Sequence, residues 1–150
     1  MSGLKAVIVD DEKRNRVALK ELVETYCEDV KILGLAENVE QGIALIKSKK
    51  PDLVFLDIEM PQHSGFNLIE HFDKIDFDIV FTTAYEQYAI RAFKSGATGY
   101  LLKSINSDEL VDVVEKVKIK KTGNGFLNTS ETDGNRLPSK SSRVIFPTQK

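Results

Sequence analysis

Short apolar runs and amphipathic stretches alternate five times along the first 121 residues of this chain. The apolar runs are Ala6–Val9, Lys31–Ala36, Leu53–Leu56, Ile79–Phe81 and Tyr100–Leu102. They are short and rich in β-branched and aliphatic residues, and they do not alternate with polar ones, which marks strands buried on both faces. Between them apolar residues recur at helical spacing. Examples are Leu19, Leu22, Val23 and Tyr26, and later Leu110, Val113, Val114 and Val117. Gly65, Leu68, Ile69 and Phe72 repeat the spacing, and Ala89, Ala92 and Phe93 do so more weakly. Asn38 with Gln41, and Asn106 with Glu109, are placed to open two of the helices. A strand–helix order of this kind winds right-handed into a parallel sheet covered on both faces. The expected fold is α/β, a doubly wound open parallel (βα)5 sheet of flavodoxin-like type with strand order 2-1-3-4-5. In such sheets the functional groups gather beyond the carboxyl ends of the strands.

Composition divides the chain in two. Residues 1–121 carry 17 Lys and Arg against 21 Asp and Glu, whereas residues 122–150 carry 4 against 2. The first part reads as one acidic domain. The second, rich in Gly, Asn, Ser and Thr with Pro138 and Pro147, reads as a linker. A net charge of −2 excludes a nucleic-acid binder that works by overall charge. The single cysteine, Cys27, excludes an internal disulfide, and its neighbours offer no cation to stabilise a thiolate, so an inert thiol is expected. Met1 leads directly into the first strand without a signal-like or membrane-spanning apolar segment, so a cytoplasmic chain with no membrane partner is expected.

Polar residues fall at the strand ends. The first run ends in Asp10-Asp11, the third in Asp57, the fourth in Thr82-Thr83 and the fifth in Lys103. Each is ordinary alone: an Asp pair caps a turn, Thr83 caps a helix, a strand-terminal Lys is solvated. A parallel sheet would bring them to one edge, and three neighbouring carboxylates repel one another unless one is protonated or a cation binds. Oxygen ligands suit Mg²⁺. His63 and His71, eight residues apart and expected on the surface, offer no zinc site. Asp57 beside such a metal is a workable nucleophile toward a phosphoryl group. The metal and Lys103 would neutralise the transferred oxygens, and Thr83 could donate a hydrogen bond to them.

With these residues in view, residues 4–121 resemble a response-regulator receiver domain. The resemblance rests on VDDE at 9–12, FLDIEMP at 55–61 with Gly65, FTTAY at 81–85 and GYLLK at 99–103. It implies Asp57 as phosphoacceptor and Asp10 and Asp11 as the metal-binding pair. It further implies the Glu59 backbone carbonyl as another Mg²⁺ ligand, Lys103 as the invariant lysine, and Thr83 and Tyr100 as switch residues. Such proteins take phosphate from a sensor histidine kinase and hydrolyse it slowly, so no conventional enzyme is expected. Glu59 and Tyr85 could flank the attacking water and tune the lifetime of the phosphate.

The small side chains Ala84, Ala89, Ala92, Gly96 and Ala97 suit a fourth helix region with two packings of similar energy. Phosphate would draw Thr83 inward, the vacated space would admit Tyr100, and the face of the fourth helix, fifth strand and fifth helix would become a homodimer or effector surface. FTTAYEQYAIRAFKSGATGYLLK is similar to receivers that precede LytTR-type DNA-binding domains. Residues 136–150 resemble the start of such a domain, so DNA would be reached only through a C-terminal domain beyond this chain. Ser104 departs from the family, which has proline after the lysine. A cis bond to a non-proline residue costs about 3–4 kcal/mol, so a trans Lys103–Ser104 bond and a rearranged loop are expected. Three other readings fit the sequence less well. A free-standing relay receiver would not need the basic, proline-containing tail. A phospho-aspartate hydrolase needs Asp where Glu59 stands. A flavin- or nucleotide-binding module needs a phosphate loop where Asp10-Asp11-Glu12 stands.

Overall fold

The computed structural model describes residues 3–121. The expected tail, residues 122–150, lies outside the described residues, as does its LytTR-like segment. Ten elements alternate: β1 (Leu4–Val9), α1 (Lys13–Tyr26), β2 (Val30–Ala36), α2 (Val39–Lys49), β3 (Leu53–Asp57), α3 (Gly65–Glu70), β4 (Asp78–Thr83), α4 (Ala89–Lys94), β5 (Gly99–Leu102) and α5 (Ser107–Lys121). The strands form one parallel sheet in the order β2-β1-β3-β4-β5, as expected.

The two-residue period of the strands sorts their side chains between two cores. Ala6, Ile8, Phe55, Val80 and Leu101 pack under α1 and α5 against Leu19, Val23, Leu110, Val113 and Val114. Val7, Val9, Val54, Leu56, Ile79 and Phe81 face the other way, against α2, α3 and α4. Sequestering both faces explains why the strands read as unbroken apolar runs. The α5 stripe is fully buried, whereas Tyr26, at the end of the α1 stripe, is 54% exposed. Gly99 allows α5 to lie close: a Cβ there would meet Val113 Cγ2 at 2.2 Å.

Helix ends follow local chemistry. The Asn38 side chain accepts from Gln41 N–H at 2.8 Å and Asn106 accepts from Asp108 N–H at 2.7 Å. The Gln41 side chain bonds Glu37 N–H rather than completing a reciprocal box with Asn38. A box does form at α3, where Ser64 and Asn67 exchange hydrogen bonds. Thr83 does not cap α4; Tyr88 holds that position, and its side chain makes no capping bond. At the far end of the sheet, Lys118, Lys120 and Lys121 of α5 pair with Asp29, Asp78 and Asp52. Cys27 is buried, and burial pushes its thiol up, as suits an inert residue. Among the described residues no helix is long and apolar enough to cross a membrane.

The close approach of β5 and α5 can be tested by a double-mutant cycle. Gly99→Ala is expected to cost about 1–3 kcal/mol through overpacking. Val113→Ala should cost a similar amount through a cavity, and urea unfolding of the pair together should give clearly less than the sum.

Candidate functional site: an acidic pocket at the strand ends

Strand register builds the site. Val9 pairs with Leu56, so the residues that follow, Asp10 and Asp57, emerge side by side. Asp57 pairs with Thr82, which sets Thr83 one step beyond. Thr83 pairs with Leu102, and Lys103 comes next, its N–H donating to the Thr83 carbonyl at 2.8 Å. Four strands thus deliver Asp10, Asp57, Thr83 and Lys103 to one edge.

Carboxylate oxygens of Asp10, Asp11 and Asp57 all lie within 4.8 Å of one another. The Lys103 ammonium bridges Asp10 Oδ2 at 2.9 Å and Asp57 Oδ1 at 3.2 Å. Asp10 is fixed further: its Oδ1 accepts from Glu12 N–H at 2.9 Å, and its carbonyl accepts from Arg16 at 2.8 Å. The cleft measures about 360 Å³ and is lined by Asp11, Asn15, Asp57, Glu59, Ala84 and Lys103. Gly65 closes its back wall: a Cβ there would come within 2.5 Å of the Asp57 carbonyl oxygen.

Burial, and then the charge of Asp10, push the Asp57 carboxyl up to about 7, against the pull of Lys103. Burial lowers the Lys103 ammonium, but its bonds to Asp10 and Asp57 outweigh that and raise it. One ammonium faces three carboxylates, which leaves two negative charges in a cluster where two of the three acids are buried. This all-oxygen anionic donor set fits a hard divalent cation such as Mg²⁺. Asp10, Asp11 and Asp57 are the side chains that would hold it.

The structure gathers Asp10, Asp11, Asp57 and Lys103 in direct contact or close to it. Thr83 and Tyr100 are buried beside them. The Thr83 hydroxyl accepts from Tyr85 N–H at 3.2 Å. Tyr100 is 0% exposed and donates to the Tyr85 carbonyl at 2.6 Å; burial pushes its phenol up to about 12. In this structure its ring is packed inside, with the Tyr85 carbonyl satisfying its hydroxyl. The Lys103–Ser104 peptide is cis, correcting the expected trans bond. The intrinsic preference that favours trans concerns an isolated bond. Here the lysine is held on both sides, by Thr83 at its backbone and by the two aspartates at its ammonium. His63 and His71 are exposed, as expected. Sequence reasoning missed Asn15, Arg16 and Tyr88. The first two sit one helical turn and more beyond the Asp pair, a spacing that placed them near the cleft. Tyr88 carried no such signal.

Residues 6–115 match the family model of the response regulator receiver domain. A response regulatory protein of Vibrio cholerae is 41% identical over 117 residues, 76% of this chain and 48% of its own. The sensory transduction protein LytT of Bacillus anthracis is 39% identical over 120 residues, 79% of this chain and 48% of its own. Among solved structures, a DNA-binding response regulator of the LuxR family from Staphylococcus aureus superposes with a TM-score of 0.69 at 27% identity. That match covers 76% of this chain and 98% of that one. The chain belongs to the response regulator receiver domain family. It spans about half the length of the curated relatives it matches.

The raised Asp57 carboxyl has a thermodynamic sign. The folded state binds its proton more tightly than the unfolded chain, so this group weakens the fold as pH rises from about 4 to about 7. In chelator at pH 7, Asp57→Asn is expected to be more stable than the parent by on the order of 2 kcal/mol. The gap should shrink toward pH 4, and millimolar Mg²⁺ should narrow it at pH 7 by binding the parent. Urea titrations under the three conditions check this.

Proposed function

We propose that this chain is the phosphate-accepting part of a two-component transcription regulator, with Asp57 as the phosphoacceptor. The observation that carries the reading is the meeting of three carboxylates within 4.8 Å with a lysine ammonium 3.2 Å from Asp57. Glu59 would add its backbone carbonyl to the metal ligands Asp10, Asp11 and Asp57. A bound Mg²⁺ would offset the carboxylate charge and that of the incoming phosphoryl oxygens. The Asp57 carboxylate oxygen attacks phosphorus, and the bond to the phosphohistidine nitrogen of a sensor histidine kinase breaks, its electron pair returning to the imidazole. Lys103 turns its ammonium to a phosphoryl oxygen, which costs little because Asp10 retains it. Slow hydrolysis returns the carboxylate.

Thr83 then has a choice of partners. Its hydroxyl, which now accepts from Tyr85 N–H, rotates to donate to a phosphoryl oxygen. Tyr85 is held at both ends of one residue, its N–H by Thr83 and its carbonyl by Tyr100. Release at one end shifts the other, so the signal reaches Tyr100 through the Tyr85 backbone rather than through an empty space. The α4–β5–α5 face would change with it and favour a homodimer. This face already carries Ile90, 72% exposed. The similarity to sensory transduction proteins named LytT, about half of whose length this chain spans, supports reading it as one part of a longer regulator.

Intact-mass analysis after acetyl phosphate with Mg²⁺ tests the chemistry. The parent is expected to gain one phosphoryl group and Asp57→Asn none; equal labelling of both would refute Asp57. Thr83→Ala should still take up the group but lose most of the phosphorylation-dependent dimerisation seen by light scattering. Dimerisation as strong as the parent's would sink the Thr83 switch.

A further inference from the structure

Arg16 stands where helix physics disfavours it. Three of the first four residues of α1, Lys13, Arg14 and Arg16, are cations, at the end where the helix dipole favours anions. The first turn carries no acidic residue, and the N-cap Glu12 makes no capping bond with its side chain. Arg14 is exposed, whereas Arg16 is half-buried. The Arg16 side chain turns back past the helix start, and its Nη1 donates to the Asp10 carbonyl at 2.8 Å. A bond from a charged donor is stronger than one between neutral groups.

That carbonyl belongs to the peptide joining the two acids beyond β1. A peptide is planar, so the direction of the Asp10 carbonyl also sets the Asp11 N–H and restricts where the rest of Asp11 can lie. Asp10 has further ties of its own. Its N–H donates to the Ala36 carbonyl at 3.0 Å, its Oδ1 accepts from Glu12 N–H, and its Oδ2 pairs with Lys103. Asp11 lies past the paired part of the strand and is only half-buried. It still brings a carboxylate oxygen within 4.8 Å of those of Asp10 and Asp57. The other ties hold Asp10 itself; the bond from Arg16 sets the plane that leads on to Asp11.

We propose that Arg16 is a positioning residue for the divalent-cation site. By holding the Asp10–Asp11 peptide it keeps the Asp11 carboxylate turned into the cluster, and so raises the affinity for Mg²⁺. This role presumes the reading of Asp10, Asp11 and Asp57 as the cation's ligands. Charge and geometry act in opposite directions here. A guanidinium beside the cleft repels a divalent cation, so losing it as a charge alone would tighten Mg²⁺ binding. Losing it as the group that holds the peptide loosens binding. Partners that orient metal ligands in this way contribute about tenfold or more to metal affinity, which outweighs the repulsion of one partly solvated cation.

Mg²⁺ affinity can be read from the rise of the urea midpoint with Mg²⁺ concentration, and independently by calorimetric titration. The proteins compared are the parent, Arg16→Met, Arg16→Lys and Arg14→Met. Arg16→Met is expected to bind Mg²⁺ about tenfold more weakly than the parent, with a urea midpoint in chelator close to the parent's. Arg16→Lys, which keeps a charged donor, should recover most of the affinity. Arg14→Met, which removes a neighbouring exposed charge, should match the parent or bind slightly tighter. Loading from acetyl phosphate should divide the same way, with Arg16→Met slow at limiting Mg²⁺ and near the parent's rate at saturation. Should Arg16→Met not fold, Arg16→Ala, the better helix former, takes its place under the same expectation. Binding by Arg16→Met as tight as the parent's, or tighter, overturns the role. So does an equal loss in Arg14→Met, or no recovery in Arg16→Lys. Those results leave the cation site standing, because the parent is stabilised by Mg²⁺. A parent indifferent to Mg²⁺ in both measurements removes the site and the role together.

Discussion

Every functional feature of this domain hangs on the Lys103 ammonium lying between two buried carboxylates. It is held 2.9 Å from Asp10 and 3.2 Å from Asp57, on the last turn of chain before α5. Without a cation between them, two acids so close at the end of adjacent strands would repel and drive one another toward protonation. A single ammonium offsets one charge of three. The site is therefore poised rather than satisfied: stable enough to fold, and still anionic enough to suit a divalent cation. Burial first, and the charge of Asp10 after it, raise the Asp57 carboxyl at this edge.

The imbalance also explains why the sheet is so apolar. A polar edge that destabilises the fold must be offset elsewhere, and both faces of β3 are sealed: Leu53, Val54, Phe55 and Leu56 are each 0% exposed. The α5 helix does the same from outside, through a buried valine and leucine stripe and through Lys118, Lys120 and Lys121 at the opposite end of the sheet. Those exposed pairs each contribute well under about 1 kcal/mol. The stability lies in the stripe. The rigid half of the molecule is thus β1, β3, α1 and α5. The six-residue α4 is anchored by Ala92 and Phe93 in the second core, and the loop before it by hydrogen bonds involving Thr83, Tyr88 and Tyr100.

The sequence was most legible where one physical rule dominates. Double-sided burial made each strand an apolar run, and the strand–helix alternation left only one common topology, so order and site edge both followed. Asp10, Asp11, Asp57 and Lys103 were legible because register alone brings strand ends together. Failures came where the outcome depends on several contacts at once. Local cost argued for a trans bond before Ser104, yet the neighbouring lysine is tied to Thr83, Asp10 and Asp57, and no single-residue preference registers such ties. The strand pattern likewise carries no sign that the Tyr100 hydroxyl donates to the Tyr85 carbonyl. Tyr88 escaped notice because its partner lies 29 residues away on another loop.

These three cases share a location: all involve the segment from Thr83 to Ser104 that bounds the cleft opposite the Asp pair. One side of the pocket is built from residues whose positions follow from register and burial, and it changes little whatever binds. The other is built from polar contacts of comparable strength. Such a division follows from the task. A receiver must keep its acids in place through repeated charge changes, which demands the rigid side. It must also report those changes at a distance, which demands contacts weak enough to lose. Tyr85 is where the two demands meet. It has no charge and a part-exposed ring, but its backbone N–H and carbonyl link the Thr83 hydroxyl to the buried Tyr100 hydroxyl. A peptide unit serves this role better than a side chain, since its two ends cannot move independently.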